Sequence, residues 1–149
     1  MLSGKLIRLI ETHCDEIKRR ALRQVHEDTE IREIRKLPDS ELRDRWDVVL
    51  RNLGHWLAAG KSAKLIHQYE ELGRTRFEEH VPLHETVRVL HILRNEMVDF
   101  LQEQGLVETT VDVYAEEEME RRVTRFFDEL VFHFVRGYEE AMKMSAHMR

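Results

Sequence analysis

An all-α fold follows from three features of the sequence. Apolar residues recur at i, i+4, i+7 and i+11 over most of the chain, the spacing of helices that bury one face. Charged residues make up 36% and hydrophobic ones 42%, the balance of amphipathic helices with well-solvated outer faces. Two prolines and six glycines leave little room for the turns of a sheet. The expected architecture is an antiparallel bundle of five helices, or six, with short connections and a long C-terminal helix. A globin-like arrangement stays compatible, because helix number does not fix crossing angles. At 149 residues the chain fits one domain, 1–149, with one continuous core.

The first helix is expected from about Ser3 to about Glu27, with Leu6, Ile10, Cys14, Ile17, Ala21 and Val25 on one side. The stretch HEDTEIREIRKL carries Ile31, Ile34 and Leu37 and reads either as an extension of that helix or as a short separate one. Pro38 stops it, and Asp39 or Ser40 then caps a second helix through Leu42, Trp46, Val49, Leu50, Leu53 and Leu57, ending near Gly60. A third runs from about Ser62 to Glu79. Pro82 suits the first turn of the fourth, which passes Leu101 and ends before Gly105. The fifth starts near Thr109 or Thr110 and continues through Val123, Phe126, Phe127, Leu130, Phe134, Tyr138 and Ala141. At about 1.5 Å per residue it would span roughly 50 Å, so it must bend, project or pair with a copy of itself. Pairing is the favoured outcome.

The net charge of -5 is spread along the chain, which argues against nucleic acid as the main partner. The short cluster Lys18, Arg19 and Arg20 reads as a solvated helix face. The opening MLSGKLIRLIETHCDEIK holds no apolar segment long enough for secretion or spanning, so a cytoplasmic location with no membrane partner is expected. The single cysteine, Cys14, sits beside Ile10 and Ile17 as a packing residue.

Local signatures of catalysis are missing: there is no HExxH, CxxC, Walker loop, GxGxxG or GxSxG, and a non-enzymatic role is expected. Nine histidines raise the metal question, yet no Glu-x-x-His occurs. His67 with Glu71, and His80 with His84, imitate hemerythrin-like spacing, but Val81-Pro82 interrupts the second pair. His91 is the imaginable axial ligand for a haem and sits at the flank of its stripe. HFVRGY, from His133 to Tyr138, resembles the HxxKG pattern of phosphotransfer domains, with Arg136 for lysine; Gly137 lies within the apolar stripe, which favours close helix packing. No cofactor is expected. A metal- or haem-binding bundle is the alternative class, and phosphotransfer the next.

The stretch LGRTRFEEHVPLHETVRVLHILRNEMVDFL, Leu72 to Leu101, places two arginines in its apolar stripes. Arg76 continues Leu65, Tyr69 and Leu72; Arg94 stands between Leu90 and Met97. The tight turn at Val81-Pro82 should lay the third and fourth helices antiparallel and bring these seams together. In one reading each guanidinium pairs with a core-side acid, such as Glu116 or Glu120 of the fifth helix, or with helix-end carbonyls, or reaches water on an apolar stem. In the other, Tyr69, Arg76 and Arg94 form a pocket that takes a small anionic ligand through guanidinium forks.

Gly73, Arg74 and Arg76, then Val81-Pro82-Leu83, then Leu90, Leu93 and Arg94, form a glycine-arginine turn, a proline-leucine helix start and a leucine-arginine continuation. Together they resemble the RsbRD-type N-terminal domain, a helical input module of stressosome co-antagonists and of some bacterial histidine kinases. The similarity is strongest over residues 40 to 104. Phe77 departs from the pattern where a small residue is expected, and His80 where a glycine commonly precedes the valine-proline pair. The resemblance implies a sensor or regulatory domain, a homodimer through the first or fifth helix, and a last helix that biases an output domain or partner protein.

Overall fold

The computed structural model describes residues 2–59 and 62–148. Among them are seven helices, one 3-10 turn and no strand: α1 (Leu2–Thr12), α2 (Cys14–Glu27), α3 (Asp39–Arg51), α4 (Leu53–Ala59), α5 (Ala63–Glu78), α6 (Leu83–Glu103) and α7 (Thr110–His147), with the 3-10 turn at Ile34–Lys36. The all-α expectation holds. The helix number differs because two of the expected helices are each divided, while the third, fourth and fifth are single. The end expected near Gly60 lies outside the described residues.

The first division falls at His13, whose backbone (φ -111, ψ 28) leaves the helical range. The His13 ring meets the Leu9 carbonyl at 2.9 Å through Nδ1, and Thr12 Oγ1 donates to the Arg8 carbonyl at 2.7 Å. Both side chains compete for the carbonyls that a continuous helix would use. The second division is at Asn52 (φ -118, ψ 25). The Trp56 indole N–H donates back to the Val48 carbonyl at 2.9 Å, bridging the interruption. Neither break interrupts burial: Leu6, Ile10, Cys14, Ile17, Ala21 and Val25 are all buried, and so are Val49, Leu50, Leu53 and Trp56.

The segment between α2 and α3 is pinned rather than free. Ile31 and Ile34 enter the core, and the buried Glu85 carboxylate of α6 accepts the backbone N–H groups of Arg32, Glu33 and Ile34 through Oε1 at 3.1, 2.9 and 3.0 Å. One side chain thus satisfies three amides that the turn leaves unpaired. Arg88, one turn further along α6, donates to Asp28 at 2.7 Å and holds the other end of the segment.

The helices pack around one hydrophobic cluster. α6 lies against α2, α7 and α1, and α7 touches α1, α4, α5 and α6. The tightest pair is α5 with α7. They run parallel: Glu70 meets Gly137, Arg74 pairs with Glu140 at 2.7 Å, and Phe77 stacks edge-on against Tyr138 at 5.4 Å. This corrects the expectation that the third and fourth helices share a seam, because α7 and not α6 is the close neighbour of α5. Two glycines allow the approach. A Cβ on Gly73 would stand 2.6 Å from the Tyr138 amide nitrogen, and one on Gly137 would stand 2.7 Å from the Glu70 carbonyl carbon. Real side chains do not fit there.

The α5–α6 connection closes in a Schellman motif. The Val81 amide donates to the Arg76 carbonyl at 2.9 Å and the His80 amide to the Phe77 carbonyl at 3.0 Å. His80 takes the left-handed position with φ 61, where a glycine would be unstrained. The Tyr138 hydroxyl donates to the Val81 carbonyl at 2.8 Å, fastening this turn to α7.

α7 has 38 residues, about 57 Å of helix, and opens on a capping box in which Thr109 and Asp112 satisfy each other's amides. Its buried residues run from Met119 to Tyr138. The turns before and after present Val111, Tyr114, Met142 and Met144 to solvent. The run Lys18-Arg19-Arg20 is not wholly the solvated face expected. Lys18 is buried and donates to Asp47 of α3 at 2.8 Å, while Arg20 reaches Glu103 of α6 at 2.7 Å.

Candidate functional site

The two stripe arginines have different surroundings. Arg76 is 1% exposed. Its Nη1 donates to Glu79 at 2.7 Å and forms an ion pair with Glu41 at 2.8 Å, so the guanidinium ties the first turn of α3 to the end of α5. Arg45 approaches the same Glu41 carboxylate at 3.6 Å. The ion-pair reading therefore describes Arg76, but with acids other than those expected. Glu120 instead accepts from Gln102 at 3.0 Å, and Glu116, beside it on α7, is raised in pKa by partial burial and by Glu120.

Arg94 is not an interior residue. It is half-buried and donates only to the neighbouring Asn95 side chain, at 3.3 Å. The reason lies in how α6 is covered. With α2 on one side and α7 on the other, its buried arc is centred on Val89, Leu93 and Phe100, and Arg94 falls just beyond its margin.

Tyr69 and Arg76 do meet, lining a cavity of 20 Å³ with Arg45, Thr86 and Trp46. That is room for about one water molecule. Burial pushes the Tyr69 hydroxyl up to about 12, so the phenol keeps its proton at every ordinary pH. Of the expected trio Tyr69, Arg76 and Arg94, the structure brings the first two together and leaves Arg94 outside this lining, and the space beside the pair has the volume of a water rather than of a carboxylate-bearing ligand. Arg45 Nε, Arg76 Nε and Thr86 Oγ1 have no hydrogen-bond partner beside it.

The histidines give no constellation. His67 and Glu71 are exposed, His80 belongs to the α5–α6 turn and His84 to the solvent side of α6. Among the described residues no group of three or more His, Cys, Asp or Glu could hold a metal ion. His91 is half-buried, and desolvation with Arg94 nearby lowers its pKa. At HFVRGY the backbone of α5 covers Gly137, the glycine that the phosphotransfer pattern would leave open, and His133 Nδ1 is enclosed without a partner. Cys14 is buried, with its thiol pKa raised chiefly by desolvation, as a packing residue should be.

A larger concavity lies between α4, α5 and α7. It measures 290 Å³ and is walled by Trp56, Leu65, Ile66, Phe126 and Leu130. Arg122, Arg125, Glu129 and His133 of α7 border it, with Ser62, the N-cap of α5. Glu129 faces His133 at 3.5 Å. Arg122 and Arg125 have no ion-pair partner among the described residues. Spacing along α7 carried part of this signal, since Arg122, Phe126, Glu129 and His133 follow i, i+4, i+7 and i+11 as a mixed stripe. The opposing wall from α4 and α5 could not be read from sequence.

No described helix is long and apolar enough to cross a membrane. No curated protein and no solved structure matches the chain. A family does: the description RsbT co-antagonist protein rsbRD N-terminal domain matches residues 12–149. That range takes in α2 through α7 with the Gly73–Gly137 crossing, the Val81-Pro82 turn and the α4–α5–α7 concavity. The chain belongs to the rsbRD N-terminal domain family of RsbT co-antagonists, and its class of work is signal transduction.

Proposed function

We propose that the chain is a non-enzymatic signal-input domain that works as a homodimer, with α7 as the element that reports ligand or partner binding. One observation carries the reading. Of the large hydrophobic side chains left exposed, all but Val48 lie on α7 or directly after it: Val111, Val113, Tyr114, Phe132, Met142, Met144 and Met148. Val111, Tyr114 and Phe132 share a face, the last about five turns beyond the second at about 3.6 residues per turn. Glu118, Arg121 and Arg125 lie on that face between Tyr114 and Phe132, so the support comes from the gathering of exposed apolar side chains on one helix, the kind of surface that another chain covers. Between the two expected dimer elements this favours the C-terminal helix over the first.

The same helix is built into the interior through Gly73–Gly137 and through Tyr138 on the Val81 carbonyl. A change at α4 or α5 therefore acts on α7 through rigid backbone contact, and a dimer along α7 would present that change to an output domain or partner protein. Sedimentation equilibrium of the wild type and of Phe132→Glu with Tyr114→Glu tests the reading. A wild-type dimer that the paired substitution converts to a folded monomer is expected. A wild type that stays monomeric at roughly 100 µM, well above the Kd of a stable dimer, would refute it.

A further inference from the structure

The concavity between α4, α5 and α7 has a polarity that the proposed sensor role does not specify. Its floor and walls are apolar, with the Trp56 indole, Leu65 and Ile66 on one side and Phe126 and Leu130 on the other. Its charged border is ordered along α7. Arg122 and Arg125 come first, and Glu129 with His133 follow one to two turns later. The stripe from Arg122 to His133 covers about 16 Å at about 1.5 Å per residue. The volume of 290 Å³ lies just below the ~300–1,000 Å³ typical of small-molecule sites, enough for a slender ligand.

Neither guanidinium has an ion-pair partner among the described residues, a condition that Arg23, Arg43 and Arg136 share; what sets Arg122 and Arg125 apart is that both border the same apolar concavity. A guanidinium beside an apolar wall is suited to the fork-on-fork pairing that carboxylates accept. The Glu129 end repels the same head group, and the first turn of α5 at Ser62 adds positive potential to the border. Charge therefore fixes the direction in which an elongated ligand lies.

We infer that this groove binds a small amphipathic monocarboxylate, its carboxylate held by Arg122 and Arg125 and its apolar body laid between Trp56, Ile66 and Leu130. The inference rests on the sensor reading for its purpose, but its test does not. Six of the bordering residues belong to α7, so occupation bears directly on the helix proposed to report it.

The test titrates the full chain with octanoate, 1-octanol and octylamine, reading heat by calorimetry and tryptophan emission through Trp56. Expected is saturable one-to-one octanoate binding, at least tenfold tighter than octanol, with octylamine weakest. Arg122→Gln with Arg125→Gln, both outside the core, should bring octanoate down to the level of octanol and leave octanol unchanged. Ile66→Trp should fill the groove and remove both. Absence of saturable octanoate binding, equal affinity for octanoate and octanol in the wild type, or a carboxylate preference that survives the double arginine substitution would each overturn the assignment. So would an Ile66→Trp variant that changes sedimentation while octanoate never binds, since a second copy would then be the occupant. Octanoate binding with no dimer at any concentration would instead remove the sensor reading and leave this site standing.

Discussion

Replacing Gly137 with alanine should destabilise the protein although alanine is the better helix former. In a helix interior with open surroundings the exchange gains about 1 kcal/mol. Here the added methyl meets the backbone of Glu70, with the carbonyl carbon at 2.7 Å and the oxygen nearer still, where contacts under 3.4 Å are already tight. Backbone cannot turn aside as a side-chain tip can, so α5 and α7 must separate by roughly 1 Å along a shared face, and a gap of ~0.5–1 Å forfeits a quarter to a half of each dispersion contact. Overpacking of this kind costs about 1–3 kcal/mol before the lost contacts are added. The net expectation is a loss of about 2–4 kcal/mol, a drop in Tm of roughly 5–15 °C for a chain of this size. Gly4→Ala is the internal control: Gly4 lies in α1 with nothing within 4 Å of its would-be Cβ, and it should gain up to about 1 kcal/mol. Thermal unfolding followed by circular dichroism reads both. If Gly137→Ala melts at or above the wild-type temperature while Gly4→Ala rises, the parallel α5–α7 crossing is wrong.

Three further outcomes follow from the same geometry. His80→Gly should stabilise by about 0.5–1 kcal/mol in urea unfolding, because it relieves the positive φ at the end of α5; a loss of stability would contradict the Schellman geometry. Arg76→Met should cost about 1–3 kcal/mol, since it strips Glu41 and Glu79 of their shared partner, whereas Arg94→Met should stay within about 0.5 kcal/mol. Equal effects at the two sites would reverse their assignment as interior and marginal. Glu96→Gln should raise Tm at pH 7, and the gain should vanish in acid. Burial raises the Glu96 pKa above its unfolded value, so the charged form is penalised in the folded state at neutral pH. That penalty disappears as pH falls through the folded pKa to below the unfolded one. Melting curves from pH 7 down to pH 4 would show a constant difference if the carboxyl were solvated instead.

The stripes were legible because they depend on one helix at a time. Leu6 through Val25 all reach the core as their spacing demands, and the great length of α7 was visible in the unbroken run from Val123 to Tyr138. The breaks at His13 and Asn52 were hidden for the same reason, since the apolar period continues straight across each of them. Arg76 could be placed inward from Leu72, four residues before it. Its acids could not be named, because Glu41 comes alongside only when α3 and α5 are laid together. Arg94 was misplaced because a helix covered on two sides buries a wider arc than one seam, and that arc is centred on Leu93. The groove at Trp56 and Arg122 depends on three helices from distant parts of the chain. No single-helix pattern reports such a site.

The division of α7 into a gripped middle and free ends has a mechanical consequence. From Tyr138, its last buried residue, to His147 the rod runs on for about 14 Å at about 1.5 Å per residue. If the crossing at Gly73 acts as a fulcrum, a tilt of about 10° there swings the far tip through roughly 2.4 Å, while atoms beside the pivot scarcely move. Displacements too small to disturb the interior would thus arrive magnified at Met144, and stiffness between Met119 and Tyr138 sets how faithfully they are conveyed.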